Sequence, residues 1–391
     1  MKYSTALFSF AALTSNCIAA PGLLDTRATV GVVGTPTGFA TGTTGGGSAI
    51  PAYPSDIAQL KSWLTDSVAR VIVLDKEFNF IGTEGTTTEE GCRPASNKCP
   101  GNGGQDAINK ASWCTNGNAG AGATPIEVTY DTAAQNPINV ASNKSLIGVG
   151  SNGVMRGKGL RVANGAQNVI IQNVHITYLN PQYIWGGDAI TVAGSDLIWI
   201  DHVSLIGRQM FVAGTTASNR VTISNSEFDG STSWSASCDG HHYWTIYLTG
   251  SNDLVTLKGN YIHHTSGRSP KIQSNTLLHA VNNYWYANSG HAFDIGSGGY
   301  VVAEGNVFQN VVTPLLENLG ELYSSPDTTS NEQCSANLHH VCQLNDFGSS
   351  GAFSGASTAV LDKFAGKNVA TAALASTVVS SVTANAGVGK I

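Results

Sequence analysis

The chain has 391 residues, of which 45 are glycine and only 12% are charged, and its formal net charge is −6 at pH 7. A negative net charge argues against binding to the phosphate backbone of nucleic acid. The low charge and high glycine content favour a turn-rich, β-dominated protein. The length suffices for two ordinary domains, so the internal pattern must decide how many there are.

The first twenty residues have the layout of a secretory signal peptide. Lys2 precedes an apolar run through Leu13, and small residues end the segment at Ala20. No later stretch offers about eighteen unbroken apolar residues, so no membrane-spanning helix is predicted. We expect a secreted protein cleaved near Ala20, with residues 21–29 as a candidate short pro-segment and residues 21–391 as one domain.

The part of the chain before the repeats mixes several predicted structures. Residues 30–48 are rich in Gly and Thr, and the run TGGGSA from Thr44 is expected to be a flexible N-terminal segment. Asp56–Trp63 has a helical apolar pattern with Ser55 as N-cap, and ARVIVLDKEF from Ala69 is typical of a buried strand. Residues 82–122 hold three cysteines and many turn residues, so we expect loops there.

Six segments of eight residues repeat through the centre of the chain, and the spacings between their starts are 29, 23, 34, 23 and 23 residues. A unit this short cannot bury a hydrophobic face alone, so the repeats predict an all-β stack, a parallel β-helix in one elongated domain whose loops bound a substrate groove. An antiparallel sandwich remains the alternative. The segments are VIIQNVHI from Val169, IWIDHVSL from Ile198, VTISNSEF from Val221, VTLKGNYI from Val255, LHAVNNYW from Leu278 and VVAEGNVF from Val301.

Asparagines recur at matching positions of these repeats, where stacked amides can form hydrogen-bonded ladders. SLIGVG, which starts at Ser145, precedes the first repeat by 24 residues and is interpreted as an earlier coil. The recurring residues are Asn173, Asn225 and Asn282 in one register, and Asn260, Asn283 and Asn306 in the next.

The longest spacing contains an insertion, STSWSASCDGHHYW from Ser231. Insertions in stacked repeats become loops on one face, often the face that binds a ligand. The tail after Phe353 is mostly Ala, Ser, Val and Gly, and we expect it to cap the stack or lie against it.

Six of the seven cysteines remain once the signal peptide, with Cys17, is removed. An even number in an oxidising compartment favours three disulfides, for which 15 pairings are open. Metal binding by Cys334 and Cys342, beside His339 and His340, is the weaker alternative, and these two cysteines are expected to close a small loop together. The six are Cys92, Cys99, Cys114, Cys238, Cys334 and Cys342.

Three charged residues fall in the connecting portions of the coils. Asp188 and Arg268 each lie ten residues before the start of a repeat, and Arg208 lies thirteen before one. The shared phase places Asp188 and Arg268 on one face, with backbones about 14 Å apart for three steps between strands. The alternative is that the arginines are solvated turn residues and Asp188 caps a turn.

Guanidinium groups and aromatic rings suit a carbohydrate chain that carries carboxyl or ester groups. Arginine forks match carboxyl oxygens, and aromatic faces stack on sugar rings. Packing in the core is the alternative role for each aromatic residue. The candidate walls of the groove are Trp113, Trp185, Trp244 and Tyr247.

The chain also contains three pairs of adjacent histidines and one N-glycosylation sequon, which are weaker signals. Three histidine pairs, among them His263 and His264, invite a metal hypothesis, but adjacent residues on a strand face opposite ways, so no metal site is predicted. Asn143 begins an N-glycosylation sequon and is a candidate glycosylation site.

Six motifs, in order and at matching separations, together resemble the fungal pectin lyases of the pectate lyase superfamily. The resemblance extends from Phe39 to Phe347, nearly the whole chain, and implies a right-handed parallel β-helix. The cysteine loop from Cys92 departs from it, because it lacks a tryptophan that these enzymes often carry. The motifs are WGGDAITV from Trp185, WIDH from Trp199, IGRQ from Ile206, CDGHHYW from Cys238, LKGNYI from Leu257 and SGRSPK from Ser266.

The resemblance implies a secreted, monomeric, endo-acting lyase that cleaves methyl-esterified galacturonan by elimination, with no metal or cofactor. Arg268 matches the arginine that removes the C5 proton of the uronate. A guanidinium normally stays protonated, so this role needs neighbouring positive charge, for which Arg208 and Lys271 are the nearest candidates. Asp188 matches another cleft position. The implied disulfides are Cys92 with Cys114, Cys99 with Cys238, and Cys334 with Cys342.

Three alternatives stay open. A calcium-dependent pectate lyase needs a cluster of carboxylates, but Arg208 and Val212 stand where such enzymes carry acidic residues, and only Asp188 is left. A polygalacturonase-like hydrolase needs two carboxylates, for which Asp188 and Asp201 are candidates, although Asp201 is more consistent with a structural role. A non-catalytic glycan-binding β-helix is the third.

Overall fold

The structure is a computed structural model that describes Met1, residues 30–99 and residues 103–391. The predicted signal peptide, apart from Met1, and the whole of the predicted pro-segment lie outside these residues. The chain folds into a right-handed parallel β-helix, which confirms the prediction from the repeats. Among the described residues, no helix combines the length and the apolar character needed to cross a bilayer.

Each complete coil contributes one strand to an 11-stranded sheet and passes twice through a 14-stranded sheet. The 11-stranded sheet is named the first face, and the two halves of the larger sheet are named the second and third faces, in the order of the chain. Two long strands run through both the second and the third face and join them. The long strands are Tyr284–Ile295 and Val307–Asn318.

The strands of the first face are Pro51–Ala52, Arg70–Leu74, Lys144–Gly148, Gln167–Gln172, Asp196–Asp201, Arg220–Ser224, Asp253–Lys258, Thr276–Val281, Gly299–Glu304, Glu321–Ser324 and Gly355–Ala356. The shorter strands of the second face are Glu77–Asn79, Val154–Arg156, His175–Thr177, Ser204–Ile206, Glu227–Asp229 and Tyr261–His263. The shorter strands of the third face are Ile138–Asn139, Leu160–Ala163, Ile190–Ala193, Phe211–Ala213, Ile246–Leu248 and Lys271–Ile272.

The repeat of the sequence is the register of the first face, because the first residues of the six segments are direct partners in successive strands. SLIGVG is an earlier coil, but Ser145 pairs with Ile170 and not with Val169. Lys144 takes the position opposite Val169 and is buried. A lysine does not fit the apolar pattern of the repeats, so the first residue of this segment was not identified. The Lys144 ammonium lies 2.6 Å from the Asp66 carboxylate. The prediction was therefore wrong by one residue.

The fifth position of every repeat is left-handed, with φ between 44° and 67°. Asn and Gly tolerate this conformation better than other residues, and the chain turns there from the first face toward the second. The six residues are Asn173, His202, Asn225, Gly259, Asn282 and Gly305.

One of the two predicted asparagine registers forms a ladder. The Asn260, Asn283 and Asn306 side chains donate to the next amide oxygen along the stack at 2.8, 3.0 and 2.9 Å, and Asn345 ends the series. The other register does not form a ladder, because its asparagines are the left-handed residues of the turn. The Asn173 amide, for example, donates to the carbonyl of Gly148.

Residues 30–48 pack across the first face. The Gly46 N–H donates to Ser145 Oγ at 2.9 Å, so the prediction that TGGGSA is flexible was wrong. The Phe39 side chain is 1% exposed, and its N–H donates to Thr256 Oγ1 at 3.1 Å. Gly38 has φ +68°, and a Cβ there would lie 2.4 Å from Thr256 Oγ1. Glycine is therefore required at this position so that the backbone can approach Thr256 closely. A high glycine content does not reveal this requirement, because glycine is also common in flexible segments.

A four-stranded sheet projects from the stack where loops were predicted. Thr86–Arg93 pairs antiparallel with Thr124–Asp131 along its whole length, and two short strands join them. The prediction of loops over residues 82–122 was wrong because the partner strand follows a long cysteine loop, so no local turn links the two. The short strands are Asp106–Ala107 and Tyr183–Ile184.

The helices lie outside the three faces. Ile57–Thr65 is capped by the Asp56 carboxylate, which accepts the Gln59 N–H at 2.8 Å, so Asp56 and not Ser55 is the N-cap. The other α-helices are Thr132–Gln135, Ser335–Leu338, Ala359–Asp362 and Val378–Asn385. The 3-10 helices are Gly38–Ala40, Ala95–Asn97, Lys110–Ser112, Ser330–Cys334 and Ala375–Thr377.

The C-terminal tail lies against the stack, as its composition predicts. Val378 and Val382 pack on Tyr284 and Val307 of the second face. Backbone N–H groups of the tail donate to left-handed asparagines, with Ala373 bonded to Asn282 at 2.7 Å. The tail therefore covers the turn between the first and second faces.

Candidate active site

The turns that lead into the third face bring the predicted site residues together. Four residues of this face are consecutive register partners: Thr191, Val212, Tyr247 and Lys271. Asp188, Trp244 and Arg268 each precede one partner by three residues, and Arg208 precedes its partner by four. Arg208 is thus one residue out of step, not three as predicted, because the strand register and not the next repeat sets the phase.

Two guanidinium groups lie against one indole ring at this edge. The Cζ atoms of Arg208 and Arg268 are 4.1 and 4.9 Å from the centre of the Trp244 ring, and Arg208 also lies 5.3 Å from the Trp185 ring. Arg208 is only 8% exposed. Its burial lowers its pKa to about 9, an effect opposed by the Asp188 carboxylate and reinforced by the charge of Arg268.

Arg268 shares a buried carboxylate with Lys271. The Arg268 Nε lies 3.5 Å from Asp294 Oδ2, and the Lys271 ammonium lies 2.7 Å from Asp294 Oδ1. Lys271 is therefore paired with a carboxylate, and Arg208 is the cation that remains near Arg268. Asp294 was not predicted from the sequence. The signal that could have identified it is that Asp294 is an acidic residue in an apolar strand and is the direct register partner of Lys271.

Asp188 lies in a cavity of about 300 Å³, which also contains Lys110 and Arg161. Burial raises the pKa of Asp188, while the charge of Lys110, the Thr191 hydroxyl and Arg208 act against this increase. A second cavity of about 280 Å³ adjoins Arg208 and Trp244. Of the described residues that line the two cavities, Asp188 is the only carboxylate.

The predicted aromatic walls surround the arginines. Trp185 and Trp244 meet edge to face at 5.4 Å, and Trp244 stacks on Tyr247 at 6.2 Å. Trp113 lines the second cavity, together with Tyr243, which the sequence analysis did not select. The Arg268 Cζ lies 5.5 Å from the Tyr243 ring.

Several nitrogen atoms at this edge are buried without a hydrogen-bond partner among the described residues. They belong to both arginines, to Trp185 and to two histidines beside the cavity walls. Burial lowers the pKa of one of them, His242, to about 3, and the charge of Arg208 contributes. The atoms are Arg208 Nε, Arg268 Nε, Trp185 Nε1, His242 Nδ1 and His291 Nε2.

Two disulfides hold the loops around the site. One attaches the insertion, near Trp244, to the cysteine loop, and another anchors the chain beside Trp113. All three disulfides have the pairing that the resemblance implies. They are Cys92–Cys114, Cys99–Cys238 and Cys334–Cys342.

Two other predicted residues lie away from this edge. Asp201 is 2% exposed on the first face, where it accepts hydrogen bonds from Gln172 and Ser224, so its role is structural. Asn143 is exposed, whereas Ser145 of the same sequon is buried and accepts the Gly46 N–H. Glycosylation of Asn143 stays a prediction.

Comparison with solved structures shows the same fold at low sequence identity. A pectate lyase from Bacillus sp. N165, solved in complex with trigalacturonate, has a TM-score of 0.58 and 20% identity, over 90% of this chain and 99% of that one. A thermostable pectate lyase has a TM-score of 0.54 and 18% identity, over 91% of this chain and 97% of that one.

Curated relatives are much more similar in sequence. Probable pectin lyase A of Aspergillus fumigatus is 61% identical over 94% of this chain and 97% of its own length. Pectin lyase B of Emericella nidulans is 61% identical over 92% and 95% of the two chains. The family model described as pectate lyase matches residues 107–391. The chain therefore belongs to the pectate lyase family, and it shares more than half of its residues with fungal relatives named pectin lyases.

Proposed function

We propose that this protein is a secreted, endo-acting pectin lyase that cleaves methyl-esterified (1,4)-α-D-galacturonan by β-elimination and releases 4,5-unsaturated oligogalacturonides. The observation that carries the proposal is the convergence of Arg208 and Arg268 on the Trp244 ring, at 4.1 and 4.9 Å, in a groove walled by aromatic rings. The 61% identity to relatives named pectin lyases supports the substrate.

In the proposed reaction, Arg268 removes the proton from C5 of the uronate. The electrons of the C5–H bond form the C4–C5 double bond, and the C4–O bond to the preceding sugar breaks. The departing oxygen takes a proton from water, and the hydroxide that remains takes the proton held by Arg268. Atoms and charge therefore balance, and Arg268 returns to the form in which it began. Burial and the charge of Arg268 lower the pKa of Arg208. Asp294 Oδ2 lies 3.5 Å from Arg268 Nε and orients the Arg268 guanidinium.

Arg208 supplies positive charge where negative charge develops. As the C5 proton leaves, charge spreads onto the carbonyl oxygen of the ester, and a buried cation fixed in advance stabilises that charge more than one in water does. Arg208 is held by two indole rings and by a hydrogen bond of 3.1 Å to Gln209 Oε1. It is therefore suited to this role without reorganisation.

The charges around Asp188 support an ester substrate and a reaction without calcium. Calcium takes six to eight oxygen ligands and is favoured by several carboxylates. Asp188 stands alone in its cavity, and the side chains of Lys110 and Arg161 line the same space. A methyl ester carries no charge to neutralise and already acidifies the neighbouring C–H bond, so the metal becomes unnecessary.

Within the described part of the chain, the paired carboxylates of a hydrolase are not assembled at the groove. Asp188 lies at the edge of the third face, whereas Asp201 lies on the first face within a hydrogen-bonded network. Asp294 is the nearest other carboxylate to the arginines, but it is engaged by Lys271 and Arg268. This arrangement favours elimination over the two-carboxylate mechanism of glycoside hydrolysis.

The test is an ultraviolet assay for unsaturated product on highly methylated pectin, in the presence of a chelator, beside de-esterified polygalacturonate. We expect product from the ester with and without chelator, and far less from the free acid. Activity that requires calcium or prefers the free acid would identify a pectate lyase. New reducing ends without ultraviolet absorbance would identify a hydrolase.

Three further properties belong to the proposal. Secretion is supported by the signal-like layout of the first twenty residues and by three disulfides, which persist in oxidising compartments. We infer that residues 21–391 act as one domain and that the enzyme works as a monomer, because the groove is built from one chain. Size-exclusion chromatography with light scattering and sequencing of the mature N-terminus check these points.

A further inference from the structure

One histidine pair converges where the sequence predicts divergence. His263 ends a strand of the second face, and His264 follows it in the left-handed conformation, with φ 52°. The alternation of a strand stops at such a residue, so both rings turn to the same side and their Nδ1 atoms lie 2.8 Å apart. The expectation that adjacent histidines face opposite ways was therefore wrong for this pair.

A carboxylate from the neighbouring coil completes the group. Asp229 is the direct register partner of His263, and its Oδ1 lies 3.6 Å from His263 Nδ1. One ligand atom from each of Asp229, His263 and His264 lies within 4.8 Å of the others. This is the one such group of three in the part of the chain that the structure describes.

A second carboxylate orients His263 toward this group. Glu227 Oε1 lies 3.3 Å from His263 Nε2, and the other Glu227 oxygen accepts the Ser204 hydroxyl at 2.8 Å. When Nε2–H donates to Glu227, the lone pair of the neutral ring is on Nδ1, which faces Asp229 and His264. Histidines that bind metals commonly donate their other N–H to a carboxylate in this way.

We propose that Asp229, His263 and His264 bind a divalent transition-metal ion, with Zn²⁺ as the representative. Two tetrahedral ligands at about 2.05 Å from zinc are separated by about 3.3 Å. The observed separations of 2.8 and 3.6 Å lie on either side of that value, and all three ligand atoms lie within 4.8 Å of one another. Two imidazoles and one carboxylate favour zinc, copper or nickel over calcium.

The proposed metal site is separate from the elimination chemistry. It lies at the end of the second face, whereas Arg268 follows at the edge of the third face, five residues after His263. Asp229 is partly exposed, with 24% of its side chain accessible, so an ion can enter and water can fill the fourth position. A bound ion bridges two coils and braces the turn that leads to Arg268.

Isothermal titration calorimetry of the untagged, disulfide-bonded protein with ZnCl₂ tests the proposal. We expect saturable binding of one ion and an increase in the thermal unfolding temperature. Binding of Co²⁺ in place of zinc should produce the visible absorption of a tetrahedral site. His264→Asn and Asp229→Asn should each weaken Zn²⁺ affinity at least tenfold, and Glu227→Gln should weaken it about tenfold through its effect on His263.

His339→Asn is the matched control. His339 is also left-handed, with φ 62°, and asparagine tolerates that conformation, so the two His→Asn changes are equivalent for the backbone. This control should leave Zn²⁺ affinity unchanged. Absence of saturable binding to the full protein, or equal binding by His264→Asn and the unchanged protein, would reduce the pair to a histidine–histidine hydrogen bond and overturn the proposal.

Discussion

Two polar regions of this β-helix differ in whether their hydrogen-bonding groups are used. In the asparagine ladder, each amide donates both to a backbone carbonyl and to the next amide, as Asn283 does to Leu257 and Asn306 at 2.8 and 3.0 Å. At the edge of the third face, Arg208 Nε and Trp185 Nε1 are buried without a hydrogen-bond partner among the described residues. The first region is internally complete, and the second is not.

The difference separates groups that hold the coils together from groups available to a ligand. A buried donor without a partner costs about 1–3 kcal/mol, so a fold that retains several at one edge gives up stability there. A sugar chain with ester and hydroxyl oxygens can accept those hydrogen bonds when it lies in the groove. The comparison therefore predicts large effects on turnover at one region and large effects on stability at the other.

The largest expected effect is on turnover at the arginine edge. Arg268→Lys removes the planar fork that lies against Trp244 and Asp294, so we expect kcat on methylated pectin to fall about 10²- to 10³-fold, with little change in unfolding temperature. Arg220→Lys is the control, because Arg220 pairs with Asp196 on the first face and is partly exposed. Turnover of Arg268→Lys within twofold of the unchanged enzyme would remove Arg268 from its assigned role.

The next effect is on stability at the ladder. Asn283→Ala deletes two donated and two accepted hydrogen bonds in the buried ladder, so we expect a loss of about 3 kcal/mol in the free energy of unfolding. Denaturant titration measures the loss, while KM should stay the same. Asn225→Gly is the comparison, because glycine keeps the left-handed turn and the change removes the side-chain hydrogen bond to Asp201, so it should cost about 1 kcal/mol. Equal losses would contradict a special role for the ladder.

A smaller effect is expected at the aromatic wall. Trp113→Ala removes one side of the second cavity, so KM for pectin should rise about 3- to 10-fold, as expected for loss of a contact worth about 1 kcal/mol. Initial rates across substrate concentration separate KM from kcat, which should not change. Trp234→Ala serves as the control, since Trp234 is 40% exposed and does not line that cavity. A KM unchanged by Trp113→Ala would place the substrate elsewhere.

The smallest effect concerns pH. Glu304 is buried, which alone raises its pKa, but hydrogen bonds from His279 and His340 lower its pKa to about 2. The stability from Glu304 is present above its ordinary pKa of 4.5 and is lost as pH falls toward 2. The hydrogen bond to Glu304 raises the pKa of His340 above 6.5, so that contribution is complete below 6.5 and is lost as pH rises.

We therefore expect Glu304 and His340 together to stabilise the fold most between about pH 4.5 and 6.5. Glu304→Gln should flatten the fall in unfolding temperature between pH 5.5 and 8, because His340 then loses the carboxylate that raises its pKa. Thermal unfolding at a series of pH values measures the profile. An unchanged slope in Glu304→Gln would assign the pH dependence to other groups.

The fold was largely predictable because parallel stacking converts sequence spacing directly into register. Val169 and Ile198 start consecutive repeats and are direct partners in the sheet. The strand Thr86–Arg93 was not predictable in this way, because its antiparallel partner is separated from it by a long loop. The close packing of Gly38 on Thr256 was not predicted. A glycine in the sequence indicates which backbone conformations are allowed, but it does not show which neighbouring atoms exclude a side chain.

The site was predictable only in part. The phase of the repeat brought Asp188 and Arg268 to one edge and Arg208 near them, and the family resemblance added Lys271. Asp294 was not predicted because no motif or repeat phase links it to Arg268. Its importance comes from the distance of 3.5 Å between Arg268 Nε and Asp294 Oδ2, which lie on neighbouring coils. The convergence of His263 and His264 depends on one left-handed residue, which sequence alternation cannot reveal.

The C-terminal tail has a consequence for how the protein is completed during synthesis. The Gly389 N–H donates to Asn173 at 2.7 Å, and the Gly387 N–H donates to the Asn225 carbonyl at 2.9 Å. Coils that emerge early from the ribosome therefore lack these hydrogen bonds until residues 387–389 have been synthesised. Each coil contacts mainly its neighbours, but the tail also bonds to coils that are distant from it in sequence. The folded state of the early coils therefore depends on the tail as well as on the adjacent coils.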